Sequence, residues 1–409
     1  MSKKVNIKYI SLLLFALFAL TPNNLKGLPV IFLFVISLFI FLKKKSVAYP
    51  IIKVLKIASL YIVLLLSLIN TSDFTGIEKP LTTGLSLLVI PISFGFLYSI
   101  KNYLSVNFLF NYTKLILGVT TLYSLWLLFF LYQLGVFSNK ISMYDAIAYV
   151  TNEMWRINQH PIYASIFIAI PVLLTIYFWF LSKKRNFILI TLPLILINLF
   201  TLLILERKGV LLSFLFGLLV IVLSLIKKNL SRKILMCFIP LALLIASVFV
   251  IPSNRFKELY EIQNYSDELK FNSTSLRYGI YNCAIAKIKE SFLFGYGIGD
   301  VQDELEECYI TKSDLLLEVT YNSHNQYLSY FLSAGVFGFL LLFIVMLKAI
   351  KDSKKNNNIL LCATTIFFAF CMLFENILER QSGVILFSFY ISLFSFYNFS
   401  ETKKLDTTK

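Results

Sequence analysis

The sequence predicts an all-α polytopic membrane protein of about twelve spanning helices, with one large extracytoplasmic loop between the ninth and the tenth. Three observations predict it. Of its 409 residues 58% are hydrophobic and only 15% charged, where a soluble domain is about 25% charged and under half apolar. Apolar runs long enough to cross about 30 Å of hydrocarbon follow one another along most of the chain. Basic residues sit in short clusters between those runs, the pattern that sets membrane topology. A net charge of +16 in a soluble chain would suggest nucleic acid, but these clusters form neither a patch nor an arm. Membrane lipids are therefore expected around the protein, and no nucleic-acid partner.

The expected spans are 5–20, 28–42, 54–70, 81–100, 113–134, 160–182, 187–205, 209–226, 234–251, 324–347, 358–377 and 383–399. Helices are expected throughout because lipid cannot satisfy an open backbone. Lys3, Lys4 and Lys8 precede the first run. Thr21-Pro22-Asn23-Asn24 after it has no small-x-small cleavage site, so this run is expected to be a retained anchor. The chain divides into helices one to nine (1–251), a loop (252–323), and helices ten to twelve with a short tail (324–409).

Charge orients the bundle. With the N-terminus inside, the inner segments hold 24 basic and three acidic residues, leaving outside 14 and 19 of the chain's 38 and 22. Both termini are therefore expected in the cytoplasm. The 72-residue stretch 252–323 is far longer than a connector needs. Within it Leu276, Ile280, Cys283, Ala284 and Ile288 recur at helical spacing, which predicts an amphipathic helix suited to the bilayer surface. A second outer loop, 135–159, carries Trp155 and Arg156. Of five cysteines, Cys237, Cys362 and Cys371 lie in apolar spans. Cys283 and Cys308 lie in the large loop, where an oxidising compartment permits a disulfide.

The middles of the spans are nearly free of charge, whereas a transporter places charged or broken helices at the midplane. The charges gather at outer helix ends instead: Glu206-Arg207-Lys208, Arg277, His324, Glu375, Glu379 and Arg380. That distribution suits a site at the outer interface, where a lipid-borne head group meets an acceptor.

His324-Asn325-Gln326-Tyr327, followed by Gly335-Val336-Phe337-Gly338, resembles the signature of the O-antigen ligases. Glu206-Arg207-Lys208-Gly209 resembles that family's arginine-glycine turn between the seventh and eighth helices. Ser275-Leu276-Arg277, then Phe294-Gly295-Tyr296-Gly297-Ile298-Gly299, resembles its loop arginine and glycine-rich turn, with Tyr281 as the aromatic expected after the arginine. His160-Pro161-Ile162-Tyr163-Ala164 is like another recurring feature. The resemblance implies a GT-C-like fold in the bacterial inner membrane, its active site facing the periplasm. It implies transfer of a glycan from undecaprenyl diphosphate to a sugar hydroxyl of lipid A–core, with inversion and with neither metal nor cofactor. Arg207 and Arg277 would hold the diphosphate through bidentate guanidinium contacts and stabilise the leaving oxygen. His324 would be the base that takes the acceptor's proton. Asn325, Lys208, Gly335 and Gly338 would support them.

Blander readings stand beside these. Arg207 could be a snorkelling helix-end charge, Arg277 a solvated loop residue, and His324 a helix cap. His160 before Pro161 reads as structural, the run of glycines as a turn that positions the loop, and Gly335 with Gly338 as aids to close helix packing. An O-antigen or exopolysaccharide polymerase shares the donor and the arginine logic. A protein O-glycosyltransferase is disfavoured by the short tail, and a flippase by the one-sided charges.

Overall fold

The computed structural model describes residues 15–44, 48–99, 105–138, 140–152, 159–182, 184–225, 273–317 and 319–397. Most of the first expected span, the ninth (234–251), Cys237, Trp155 and Arg156 lie outside the described residues. The described chain is helical, with no strand among the described residues. We number the helices α1 (Leu28–Lys44), α2 (Ile51–Ser67), α3 (Glu78–Gly84), α4 (Ser86–Tyr98), α5 (Val106–Gln133), α6 (Met143–Asn152) and α7 (Pro161–Ser182). Then follow α8 (Arg185–Ile204), α9 (Lys208–Leu225), α10 (Ser273–Glu290), α11 (Val301–Lys312), α12 (Gln326–Lys355), α13 (Ile359–Cys371) and α14 (Gln381–Phe396).

Seven helices among the described residues, with α3 and α4 taken as one run (Glu78–Tyr98), are long and apolar enough to cross a membrane. α1, α13 and α14 are equally apolar but shorter. The protein is thus a multi-pass membrane protein. α7 is its axis, packed against α5, α8 and α9, and every side chain from Pro161 to Thr175 is buried. Around it α9 runs along α13, α4 joins α1, α2 and α14, and α12 lies between α2 and α13. One polar stitch crosses the apolar interior. Buried Asn198 on α8 donates to Thr121 Oγ1 (2.7 Å) and accepts from Ser124 Oγ (3.1 Å), both on α5. Such contacts hold membrane helices together where no hydrophobic drive exists.

Two helices depart from the expected spans where chemistry intervenes. The eleventh expected span runs to 377, yet α13 stops at Cys371. Residues 372–380 instead form a turn held by hydrogen bonds to the protein. Gln326 clamps it: its N–H donates to Met372 O (2.8 Å), and its side-chain carbonyl accepts from Leu378 N–H. α12 breaks at Ala334-Gly335, with Gly335 at φ 62, ψ −158, a region essentially open to glycine alone.

That break is a docking point. Tyr296 N–H donates to Leu332 O (2.7 Å), Gly297 N–H to Ser333 O (3.0 Å), and Val336 N–H to Phe292 O (3.0 Å). The turn after α10 therefore satisfies the backbone groups that the break releases. A Cβ on Gly335 would stand 2.0 Å from Leu293 O, and one on Gly338 2.4 Å from Tyr330 O. Both glycines serve this chain crossing and the kink, not the helix–helix packing expected from their spacing. Gly335→Ala is expected to cost at least about 1–3 kcal/mol from backbone strain alone, read as a lowered unfolding temperature in detergent. Gly118→Ala, where the added methyl meets nothing within 4 Å, is the control expected to be neutral.

Candidate active site

His324 lies at the mouth of α12 in a left-handed conformation, φ 45, uncommon for residues other than glycine and often kept at functional positions. Its neighbours hold it there. Asn322 Oδ1 accepts the His324 N–H (3.1 Å), and the Tyr281 hydroxyl shares its one proton between the carbonyls of His324 and Leu373, each at 3.2 Å. Asn325 is the N-cap of α12: its Oδ1 accepts from Tyr327 N–H (2.9 Å) and Leu328 N–H (3.3 Å). Capping is its physical role.

The His324 ring points Nδ1 at Glu375 Oε2, 3.4 Å away. Glu375 is buried while the imidazole stays partly open. Burial pushes the Glu375 carboxyl's pKa up, but the hydrogen bond and charge of His324, with His160 and Arg277, outweigh burial and hold it below the usual carboxylate value. A carboxylate at Nδ1 fixes the tautomer with the proton on that nitrogen, leaving the Nε2 lone pair free.

Four residues later Glu379 braces the same segment. It accepts from Asn376 Nδ2 (2.7 Å), Asn322 Nδ2 (3.0 Å) and the Ser329 hydroxyl. Enclosure raises its pKa, the three hydrogen bonds oppose, and Glu375 adds to the rise. Its side chain still reaches solvent on one side. Glu375 thus sets the ring of His324, and Glu379 sets the Asn322 that holds its backbone.

The two arginines come from other elements. Arg207 sits in the turn between α8 and α9, where Glu206 is at φ 54 and Lys208 opens α9, partly buried. Gly209 lets this turn approach closely: a Cβ there would stand 2.8 Å from Phe374 Cβ, beside Glu375. Arg277 lies in the first turns of α10, one turn before Tyr281 and on the same face. Arg277 acts electrostatically on Glu375 and Tyr281. The pKa of His160 is pushed down to about 4 by desolvation, opposed by Glu375 and reinforced by Arg207, Arg380 and His324. His160 thus shares one electrostatic neighbourhood with Arg207, Arg380, Glu375 and His324. Read from the sequence as structural, it does open α7, its carbonyl accepting from Tyr163 N–H (2.9 Å), and it also faces this cluster.

His324 and Arg207 thus act on His160, and His324 and Arg277 on Glu375, while Gly335 and Gly338 lie apart, about 16 and 21 Å along α12 by helical rise. Glu375, Glu379 and Arg380 stood in the sequence as charges at outer helix ends. Only the fold shows that two of them brace the histidine.

α10 is held by its own small core. Ile280, Cys283, Ala284 and Ile288 pack with Leu305, Cys308, Tyr309 and Leu332, so the apolar stripe is covered by protein and does not lie on the bilayer surface as expected. Cys283 and Cys308 form a disulfide with Cα atoms 5.6 Å apart. Lys287 adds ion pairs to Glu304 (2.7 Å), Glu290 (3.4 Å) and Glu307. The bridge closes 25 residues, worth roughly 3–4 kcal/mol in the loop-entropy account. Protein isolated without reductant is expected to show Cys283 and Cys308 blocked to thiol reagents, and reduction to lower its unfolding temperature.

Residues 193–343 match the family model described as O-antigen ligase. The match supports an O-antigen ligase family assignment. It runs from the middle of α8 into α12 and contains Arg207, Lys208, Arg277, His324, Asn325, Gly335 and Gly338. Glu375, Glu379, Arg380 and His160 lie outside it. No curated protein matches the chain. The O-antigen ligase family covers ligases and polymerases, implies a glycosyltransferase-like enzyme acting on O-antigen, and in general takes a lipid-linked glycan and lipid A–core.

Proposed function

We propose that the protein is an O-antigen ligase, transferring a glycan from undecaprenyl diphosphate to a sugar hydroxyl of lipid A–core at the periplasmic face of the bacterial inner membrane. The observation that carries this reading is the His324–Glu375 pair with two arginines from separate elements in the same electrostatic neighbourhood.

In a single displacement the acceptor oxygen forms a bond to the anomeric carbon as that carbon's bond to the diphosphate oxygen breaks. The acceptor proton passes to His324 Nε2, and Glu375 stabilises the imidazolium that forms. The electron pair leaves on the diphosphate, where Arg207 and Arg277 meet the developing charge. The anomeric configuration inverts. The positive-inside distribution of charge and the Cys283–Cys308 disulfide both favour an oxidising, extracytoplasmic location for the site.

The test is reconstitution of the protein in vesicles with a lipid-linked glycan, with or without lipid A–core. Sugar is expected on lipid A–core only. Elongation of the lipid-linked glycan itself would make the protein a polymerase, and transfer to neither would remove the glycosyltransferase reading.

A further inference from the structure

The turn that docks on the break in α12 carries Phe292, Leu293 and Phe294, exposed by 51%, 55% and 61%, beside Phe337 of α12, exposed by 56%. These side chains are large, apolar and adjacent: the Phe294 and Phe337 ring centroids are 6.0 Å apart. Exposure of this kind in water would be a liability. The patch continues along α12 through Leu340, Phe343, Ile344 and Leu347, all exposed on a helix of membrane-crossing composition. The lipid-facing surface of α12 and the tip of the turn are thus one apolar surface.

Helical rise gives the depth. Lys351, Lys354 and Lys355 mark the far boundary of α12. Twenty residues of helix cover about 30 Å, the thickness of the hydrocarbon layer. Counted back from Lys355 they reach Val336, one of the three residues whose backbone holds the turn. The tip therefore lies at the hydrocarbon boundary on the site's side, where Phe and Leu side chains bury into the acyl region.

We propose that the Phe292-Leu293-Phe294 turn is seated in the bilayer leaflet on the site's side and anchors the α10–α11 hairpin to it. The turn follows α10 and is bonded to α12, so its depth fixes the height of Arg277 and Tyr281 above the acyl chains. Resting on the reading of the site given above, the anchor ties to the leaflet the hairpin that carries Arg277.

The experiment places a nitroxide at Leu293→Cys in the full chain with Cys237, Cys362 and Cys371 changed to serine, reconstituted in lipid vesicles. Collision with oxygen, which partitions into lipid, is compared with collision with a nickel chelate, which stays in water. At position 293 oxygen collisions are expected to exceed chelate collisions several-fold. The reverse is expected for a label at Lys289→Cys, exposed on α10. Equal chelate access at 293 and 289 overturns the proposal. Adding Phe292→Ser and Phe294→Ser is expected to raise chelate access at 293 several-fold with the disulfide intact, and unchanged access overturns it too. These readouts need no transfer reaction, so a seated turn in a protein that transfers no sugar would sink the ligase reading and leave the anchor standing.

Discussion

His324→Ala is expected to abolish sugar transfer while protein abundance and retention of the lipid-linked donor stay close to parental. The base is separate from the groups that would hold the diphosphate: His324 opens α12, whereas Arg207 and Arg277 come from the α8–α9 turn and from α10. General-base catalysis contributes typically 10²–10⁴-fold, so a loss in that range is the expected result under single-turnover conditions. Glu375→Gln is expected to fall between parent and His324→Ala. It keeps a hydrogen-bonding group at 3.4 Å from Nδ1 but loses the charge that fixes the tautomer and stabilises the imidazolium. A Glu375→Gln variant as active as the parent would reduce that contact to packing.

Arg207→Ala and Arg277→Ala are expected to weaken donor use severely, each by about 2–3 kcal/mol of charge-assisted hydrogen bonding, or roughly 30- to 160-fold. The lysine variants are expected to recover only part of this. Lysine keeps the charge but loses the planar fork that grips two phosphate oxygens. The measurement is retention of a lipid diphosphate lacking sugar, set beside the transfer rate. Lysine variants at the parental level would remove the bidentate account, and alanine variants at that level would leave the arginines as topology charges.

Much of this arrangement was legible in the sequence because membranes simplify the problem. A run such as Arg185–Ile204 is apolar on all sides, and lipid leaves a helix as its only economical state. The same uniformity hid the packing. α7 and α8 read alike, yet α7 is buried almost throughout while α8 exposes Leu189, Ile190, Leu196 and Phe200. No period in an all-apolar run says which helix is the axis.

The site divides in the same way. His324, Arg207 and Arg277 carry local signatures that the sequence displays. Glu375 and Glu379 do not, because their role depends on α13 ending six residues early so that a polar turn can reach His324. Nothing local marks that stop: Met372-Leu373-Phe374 would continue the helix, and the competing force is tertiary, the clamp from Gln326. Gly335 was visible as a glycine but not as a break, since the strand of chain that requires it lies some forty residues earlier at Leu293.

The central claim is that His324 accepts the acceptor hydroxyl's proton, and His324→Gln tests it most directly. Glutamine can hold a hydrogen bond in that place but cannot act as a base. With donor preloaded and lipid A–core added, the account predicts a single-turnover rate reduced about 10²–10⁴-fold, with donor retention unchanged. Transfer by His324→Gln near the parental rate would contradict the account and reduce His324 to a residue that orients the acceptor.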